Sequence, residues 1–296
     1  MNQRLSILVY HRVLAQPDPL LPELPDARLF DRHMALLKRC FRVLPVSEAV
    51  SRLRQGTLPA WAACITFDDG YADNAEWALP VLQRHGLSAA FFIASDYLNG
   101  GRMWNDAVIA GVRHAQQAVL ETAAPGCAAL PVQTLRQKQL AVDRLLDALK
   151  YLPQRQRHQL AQGMAPAPAE ELMMRTHQLR QLQAAGMEIG AHTASHPILA
   201  KLPDADALAD IVRGKTALEA ITQTPVALFA YPNGKPGLDY DQRHVAMVKA
   251  SGFTAAFSTV SGAADAASDP LQLPRYTPWE RDRPRFLLRL LANRRV

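Results

Sequence analysis

A chain of 296 residues with 49% hydrophobic and 20% charged side chains has the composition of a folded globular protein and is long enough for a barrel-sized core. Its 33 basic and 27 acidic residues give a net charge of +6 spread along the chain. Outside the C-terminus no basic stripe interleaved with aromatics is present, so nucleic acid is not an expected partner. Cys40, Cys64 and Cys127 form neither a zinc-type pair nor an even disulfide framework, which suits buried apolar roles in a reducing compartment.

In chain order, the N-terminal Met1-Asn2-Gln3-Arg4 runs into too few apolar residues for a signal-peptide core, and no stretch approaches the roughly 18 apolar residues of a membrane span. A cytoplasmic protein is therefore expected. Short apolar runs without alternation predict buried parallel strands at 6–10, 63–67, 89–93, 188–191, 226–229 and 255–258. Helical patterns intervene at 30–39, 47–55, 75–85, 176–185, 205–222 and 241–251. Gly86, Gly186 and Gly252 each follow a helix where a C-terminal cap belongs and precede the next strand. A helix–Gly–strand cycle repeated in this way predicts an α/β fold, either a (β/α) barrel or a doubly wound sheet. The region from about 101 to 172 breaks the rhythm: it contains the helical run 134–150, offers no convincing strand, and closes with Ala165-Pro166-Ala167-Pro168. It is expected to be a mostly helical insertion at the barrel mouth within a single domain spanning 1–296.

Chemistry collects where the predicted strands end, the side of a parallel α/β fold from which active-site loops project. Tyr10-His11 ends the first strand, Thr66-Phe67-Asp68-Asp69-Gly70 another, His192-Thr193-Ala194-Ser195-His196-Pro197 a third, and Tyr231-Pro232-Asn233-Gly234 a fourth. Two imidazoles and one carboxylate suit a single divalent metal, zinc first, with cobalt, nickel or iron as alternatives. Gly190 before and Pro197 after the histidines predict a loop rather than a helix. One of the two adjacent aspartates can bind the metal while the other stays free. A metal lowers the pKa of the water it binds toward roughly 7, and a free carboxylate can take the proton, so the chain reads as a hydrolase. Trp104, in Met103-Trp104-Asn105-Asp106, is a candidate for stacking a sugar ring. The tail from 281 to 296 mixes arginines with bulky apolar residues at helical spacing, a pattern able to lie on an anionic membrane surface or to pack on the barrel.

These motifs resemble those of the polysaccharide deacetylases of carbohydrate esterase family 4, the NodB-homology domain, over about residues 5–276. Thr-Phe-Asp-Asp-Gly is similar to that family's first motif and His-Thr-Ala-Ser-His to its second. The resemblance implies a distorted (β/α) barrel of about seven parallel strands, with Asp68 as general base and Asp69, His192 and His196 as metal ligands. The later motifs depart from the family's pattern. Ala230 stands where the third motif, Arg-x-Pro-Tyr-Gly, has its arginine, and the fourth motif's Asp-x-x-Asp-Trp and the fifth motif's histidine are not recognisable. Arg275, in Leu273-Pro274-Arg275-Tyr276, is expected to reach the site from the last strand in place of the missing arginine. His11 is expected to be the general acid, as some branches such as exopolysaccharide deacetylases supply a site histidine from this place. The backbone N–H near Asn233 is expected to hold the oxyanion, with Tyr231 and Trp104 contributing to substrate binding.

The implied reaction is removal of an N-acetyl group, less readily an O-acetyl group, from an amino sugar or glycan precursor. With no export signal in view, a nucleotide- or lipid-linked precursor is the expected substrate, and the tail a point of contact with the inner face of the membrane. Two alternatives stand beside this reading. One is an amidohydrolase of the same fold acting on a cyclic imide or ureide, and the other is a catalytically dead sugar-binding protein that retains the metal.

Overall fold

The computed structural model describes residues 3–165 and 171–294. The described residues cluster into two compact units: the first comprises 3–16, 24–99 and 173–294, the second 17–23, 100–165 and 171–172.

The first unit is a distorted (β/α) barrel built on a seven-stranded sheet. Its strands are β1 (Ser6–Tyr10), β2 (Arg42–Val43), β3 (Ala62–Phe67), β4 (Ala90–Ile93), β5 (Glu188–Ala191), β6 (Leu228–Ala230) and β7 (Ala255–Phe257). They pair in parallel in the order β1-β3-β4-β5-β6-β7, with β2 alongside the start of β3. The helices of this unit are α1 (Ala27–Cys40), α2 (Val46–Arg54), α3 (Leu79–His85), α4 (Thr176–Ala184), α5 (Asp204–Thr222), α6 (Gln242–Ala250) and α7 (Arg283–Asn293). A stretch of wider π-helical turn, Asn74–Ala78, leads into α3.

Every residue of β1 and β3 is buried, which explains why their sequences show no alternation. The period of two survives in the packing. Ile7, Ala62, Cys64, Ala90, Phe92, Leu228, Ala230, Ala255 and Phe257 share one apolar cluster, while their neighbours Leu8, Tyr10, Ala63, Ile65, Phe67, Phe91, Ile93, Phe229 and Ala256 share another with residues of the flanking helices. Gly190 lets the first cluster close, because a Cβ there would meet the Phe92 ring at 2.4 Å. After β7 the chain makes single parallel bridges at Phe257–Leu273 and Leu8–Tyr276, so the segment carrying Leu273 and Tyr276 ties the last strand to the first. Gly86, Gly186 and Gly252 carry positive φ angles of 63°, 78° and 80°, in line with capping positions.

The strands and helices fall close to the expected ranges; among the predicted strands the largest shift is β6, expected at 226–229 and found two residues later at its start, while α1 begins three residues before its expected start and the first turn of the helix expected at 75–85 is the π-helical stretch. The tail forms α7, capped by the Asp282 side chain on the Arg285 N–H. Its Phe286 and Leu290 are buried in the barrel's outer core, and Phe286 stacks on His33 of α1 with ring centroids 4.1 Å apart. Among the described residues, no helix is long and apolar enough to cross a membrane.

The second unit holds helices Trp104–His114, Leu135–Lys150 and Gln154–Met164. Thr134 and Gln137 cap the middle one reciprocally, and Gly111 allows close approach of the outer two, since a Cβ there would lie 2.6 Å from the Met164 carbonyl oxygen. The expectation of no strand here is corrected by an antiparallel hairpin, Val119–Glu121 with Ala129–Pro131. Each strand has only three residues, and in each only the middle one is buried, too short a stretch for a pattern to show. The expected break at 165–168 lies, from 166 onward, outside the described residues.

Candidate active site

Asp68 follows β3 in the same alternation as Cys64 and Thr66, and its backbone N–H donates to the Tyr10 carbonyl at 3.0 Å, which extends the β1–β3 ladder by one step. The chain then turns: Asp69 and Gly70 hold positive φ angles of 76° and 94°. At Gly70 a side chain would strain the backbone and bring a Cβ within 3.1 Å of Ile93. This turn sends two adjacent carboxylates, both buried, to different partners.

Asp69 faces the histidines. Its Oδ1 lies 3.4 Å from His192 Nε2 and 3.4 Å from His196 Nε2, and one ligand atom from each of the three residues falls within 4.8 Å of the others. Two ligands about 2.1 Å from one ion at a tetrahedral angle stand about 3.4 Å apart, so the spacing fits a shared divalent cation. The donor chemistry fits as well. His192 donates from Nδ1 to the Ala230 carbonyl at 2.8 Å, which fixes the tautomer and leaves Nε2 as a lone-pair donor. Ala230, at the place of the missing third-motif arginine, thus serves the site through its backbone. Burial pushes the Asp69 carboxyl up, but the two histidines and His11 bring it well below the usual carboxylate range.

Asp68 faces the opposite wall. Arg275 grips it with a fork of two bonds, Nη1 to Oδ1 and Nη2 to Oδ2, both 2.7 Å. Arg275 is itself fully buried and donates from Nε to the Ser258 carbonyl at 2.9 Å, while its Nη1 also reaches Thr66 Oγ1 at 3.3 Å. Burial raises the Asp68 carboxyl, and the guanidinium, His192 and His11 more than offset it, so the carboxyl is held ionised at neutral pH.

His11 sits just beyond β1, half-buried, close enough for its charge to act on both aspartates. Its carbonyl accepts from Asn74 Nδ2 at 2.9 Å. Next to it, Arg12 pairs with Asp73 at 2.7 Å and lies over the Tyr71 ring. Asn233 has a positive φ of 61°, and its carbonyl accepts from Thr259 Oγ1 at 2.8 Å. Tyr231 corrects an expectation: it is wholly buried, stacked on Tyr240 at 3.7 Å, and its hydroxyl donates to the Leu271 carbonyl. Its side chain braces the closing segment rather than offering a surface to a substrate. Trp104 belongs to the second unit, where it starts a helix half-buried under the Arg157 guanidinium.

A model of the polysaccharide deacetylase family matches residues 55–256, about two thirds of the chain. The chain belongs to the polysaccharide deacetylase family. A stretch of 92 residues, 30% of this deacetylase-family chain, is 35% identical to the candidate polysaccharide deacetylase YxkH of Bacillus subtilis (strain 168), and the match spans about a third of that relative's length, 32%. Among solved structures, the Streptococcus pyogenes deacetylase PplD in complex with acetate aligns with a TM-score of 0.67 at 18% identity, over 98% of this chain and 99% of that one. IcaB from Ammonifex degensii aligns with a TM-score of 0.64 at 18% identity, over 97% and 98%. At such identities these likenesses speak for the deacetylase fold.

Sequence reasoning missed the groups that hold the histidine loop of this family member. Thr193 and His196 have positive φ angles of 62° and 51°, and the loop's backbone is held by Asp210 on α5 and by residues 95–97 after β4. The available signal was an acid within the buried stripe Ala207, Asp210, Ile211, Gly214, Leu218 of an otherwise ordinary helix. A carboxylate on such a stripe needs a partner.

Proposed function

We propose that this chain is a divalent-metal-dependent hydrolase that removes the acetyl group from an N-acetylated amino sugar or glycan, with Asp68 as general base. The observation that carries the reading is the convergence of Asp69, His192 and His196 beside a second buried carboxylate gripped by Arg275. Asp69, His192 and His196 would hold the ion, zinc first by donor type, with cobalt, nickel or iron as alternatives. When bound, the ion supplies positive charge that acidifies water and offsets charge on the acetyl carbonyl.

The side chains do the rest. Asp68, kept ionised and aimed by the Arg275 fork, takes the proton of the attacking water. The backbone N–H of Asn233 donates to the carbonyl oxygen as it becomes an oxyanion, a role that depends on backbone geometry rather than on the side chain. As the C–N bond breaks, His11 gives its proton to the departing amine, and acetate and the free amine leave. Trp104 remains a candidate sugar-stacking residue.

The substrate is proposed to be a cytoplasmic, nucleotide- or lipid-linked precursor. Trp279 and Leu288 are 57% and 64% exposed, and Arg281 and Arg285 line the same surface depression; this patch supports a peripheral contact with an anionic membrane, which liposome co-sedimentation tests. The reaction itself is tested by acetate release from N-acetylated sugars set against dihydrouracil- and allantoin-like amides. Turnover confined to the sugars supports the reading, and turnover confined to the cyclic amides replaces it.

A further inference from the structure

His192 and His196 sit on a loop whose backbone is taken in hand from outside. On one side α5 presents Asp210, whose Oδ1 accepts from the N–H groups of both Ala194 and Ser195 at 2.9 Å, and whose Oδ2 accepts from Ser195 Oγ at 2.8 Å. On the other side the turn after β4 contributes the Asp96 N–H to the Ala194 carbonyl at 3.0 Å and the Tyr97 hydroxyl to the Ser195 carbonyl at 3.3 Å. Arg213 joins the two sides, donating to both Asp96 oxygens and, at 2.7 Å, to Asp210 Oδ2. Gly214, one turn beyond Asp210, makes the approach possible: a Cβ there would stand 2.5 Å from the Thr193 carbonyl carbon and oxygen.

This arrangement costs the fold something. Asp210 is a carboxylate only 7% exposed, and two non-glycine residues of the loop hold left-handed backbone. What it secures is the relative position of two imidazoles. Thr193 Oγ1 ties the loop internally, donating to the His192 carbonyl and accepting from the His196 N–H. Without an external anchor the residues between the histidines could relax toward ordinary backbone angles, and the His196 ring would swing away from Asp69. We propose that Asp210, clamped by Arg213 to Asp96, is a positioning residue that pre-forms the ligand geometry at His192 and His196 and so sets the affinity for the metal. The inference rests on the reading that Asp69, His192 and His196 bind an ion.

The direct test is a titration of the metal-stripped full-length protein with Co2+, followed by its visible absorption, and with Zn2+ by competition against a chelator. Asp210→Asn keeps the side chain's shape but turns an acceptor toward Ser195 Oγ and Arg213 into a donor. It is expected to raise the metal Kd about 10- to 100-fold, the usual scale for partners that orient metal ligands. Activity should then return as metal is added. Asp206→Asn, an exposed change of the same charge on the same helix, is expected to leave the Kd unaltered. Should Asp210→Asn fold poorly, Ser195→Ala removes the bond from its hydroxyl to Asp210 and is expected to raise the Kd several-fold. Wild-type binding with an unshifted Kd in Asp210→Asn, or in Ser195→Ala when that variant must stand in, overturns the positioning role. Failure of the wild type to bind either metal, or unchanged binding in His192→Ala, overturns the metal reading together with it.

Discussion

The two carboxylates of one Asp-Asp pair look toward opposite walls, and those walls are built differently. Asp69 faces a wall whose groups come from one compact motif, His192 to His196, with α5 and the turn after β4 bracing the loop. Asp68 faces a wall made by a single long-range contact, Arg275, 207 residues away in sequence. In the proposed reaction, one turn thereby divides two chemical tasks. The proposed ligand wall presents two imidazole Nε2 atoms beside the Asp69 carboxylate. The proposed base wall presents a fixed positive charge that keeps its carboxylate ionised.

If the walls are distinct, damage to each should leave a different signature. The largest effect is expected from His192→Ala, which removes a proposed ligand: both metal binding in titration and acetate release should be lost. His11→Ala should leave metal affinity intact but lower kcat/KM about 100-fold or more, the scale of a lost general acid, and should remove the alkaline limb of the pH–rate profile. A profile unchanged from the wild type would exclude His11 from proton transfer. Arg275→Lys keeps the charge but not the fork; losing one charge-assisted bond worth about 1.5–3 kcal/mol should cost about 10- to 100-fold in kcat/KM with the metal Kd unchanged. Undiminished turnover in that variant would remove Arg275 from the base wall.

The smallest effect concerns how the base wall is fastened. Beyond Arg275, the Tyr276 hydroxyl donates to Glu280 Oε2, and the Glu280 carbonyl accepts from His33 Nε2 at 2.8 Å, while His33 Nδ1 accepts from the Tyr10 hydroxyl. Burial lowers the His33 pKa to about 4, against a smaller upward pull from the Glu280 carbonyl and carboxylate. The unfolded chain therefore binds a proton on this histidine before the folded one does. Its stabilising contribution is complete above about pH 6.5 and is lost as pH falls toward about 4, by at most about 3 kcal/mol. Urea unfolding of His33→Gln should show a shallower loss of stability than the wild type across that window; parallel curves would show that His33 is not the group responsible.

The legibility of the two walls in the sequence differs for a physical reason. Asp68 and Asp69 directly follow the fully buried β3, and His192 directly follows the four-residue β5 with His196 four positions on, so each pair shares a location by its place at a strand end. Arg275 sits in a segment with one bridge on each side and with Pro274, which has no N–H to give to a ladder, so neither periodicity nor propensity marks it. Only the absence of an arginine at Ala230 pointed to it. Asp210 was harder still, because a buried acid on a helix is told from an exposed one only by its stripe. Tyr231 misled for the converse reason: the carbonyl of Ala230 before it meets His192, while the Tyr231 side chain enters the core. The hairpin of the second unit was too short to announce itself.

Asp68 is proposed to act as base in a reaction for which Asp69, His192 and His196 hold the ion. Asp68→Asn isolates it, because the amide keeps the shape of the base wall while removing the proton acceptor. This variant is expected to bind Co2+ with the wild-type Kd and to release acetate from an N-acetylated sugar at least about 100-fold more slowly. Acetate release at the wild-type rate with metal bound would contradict it.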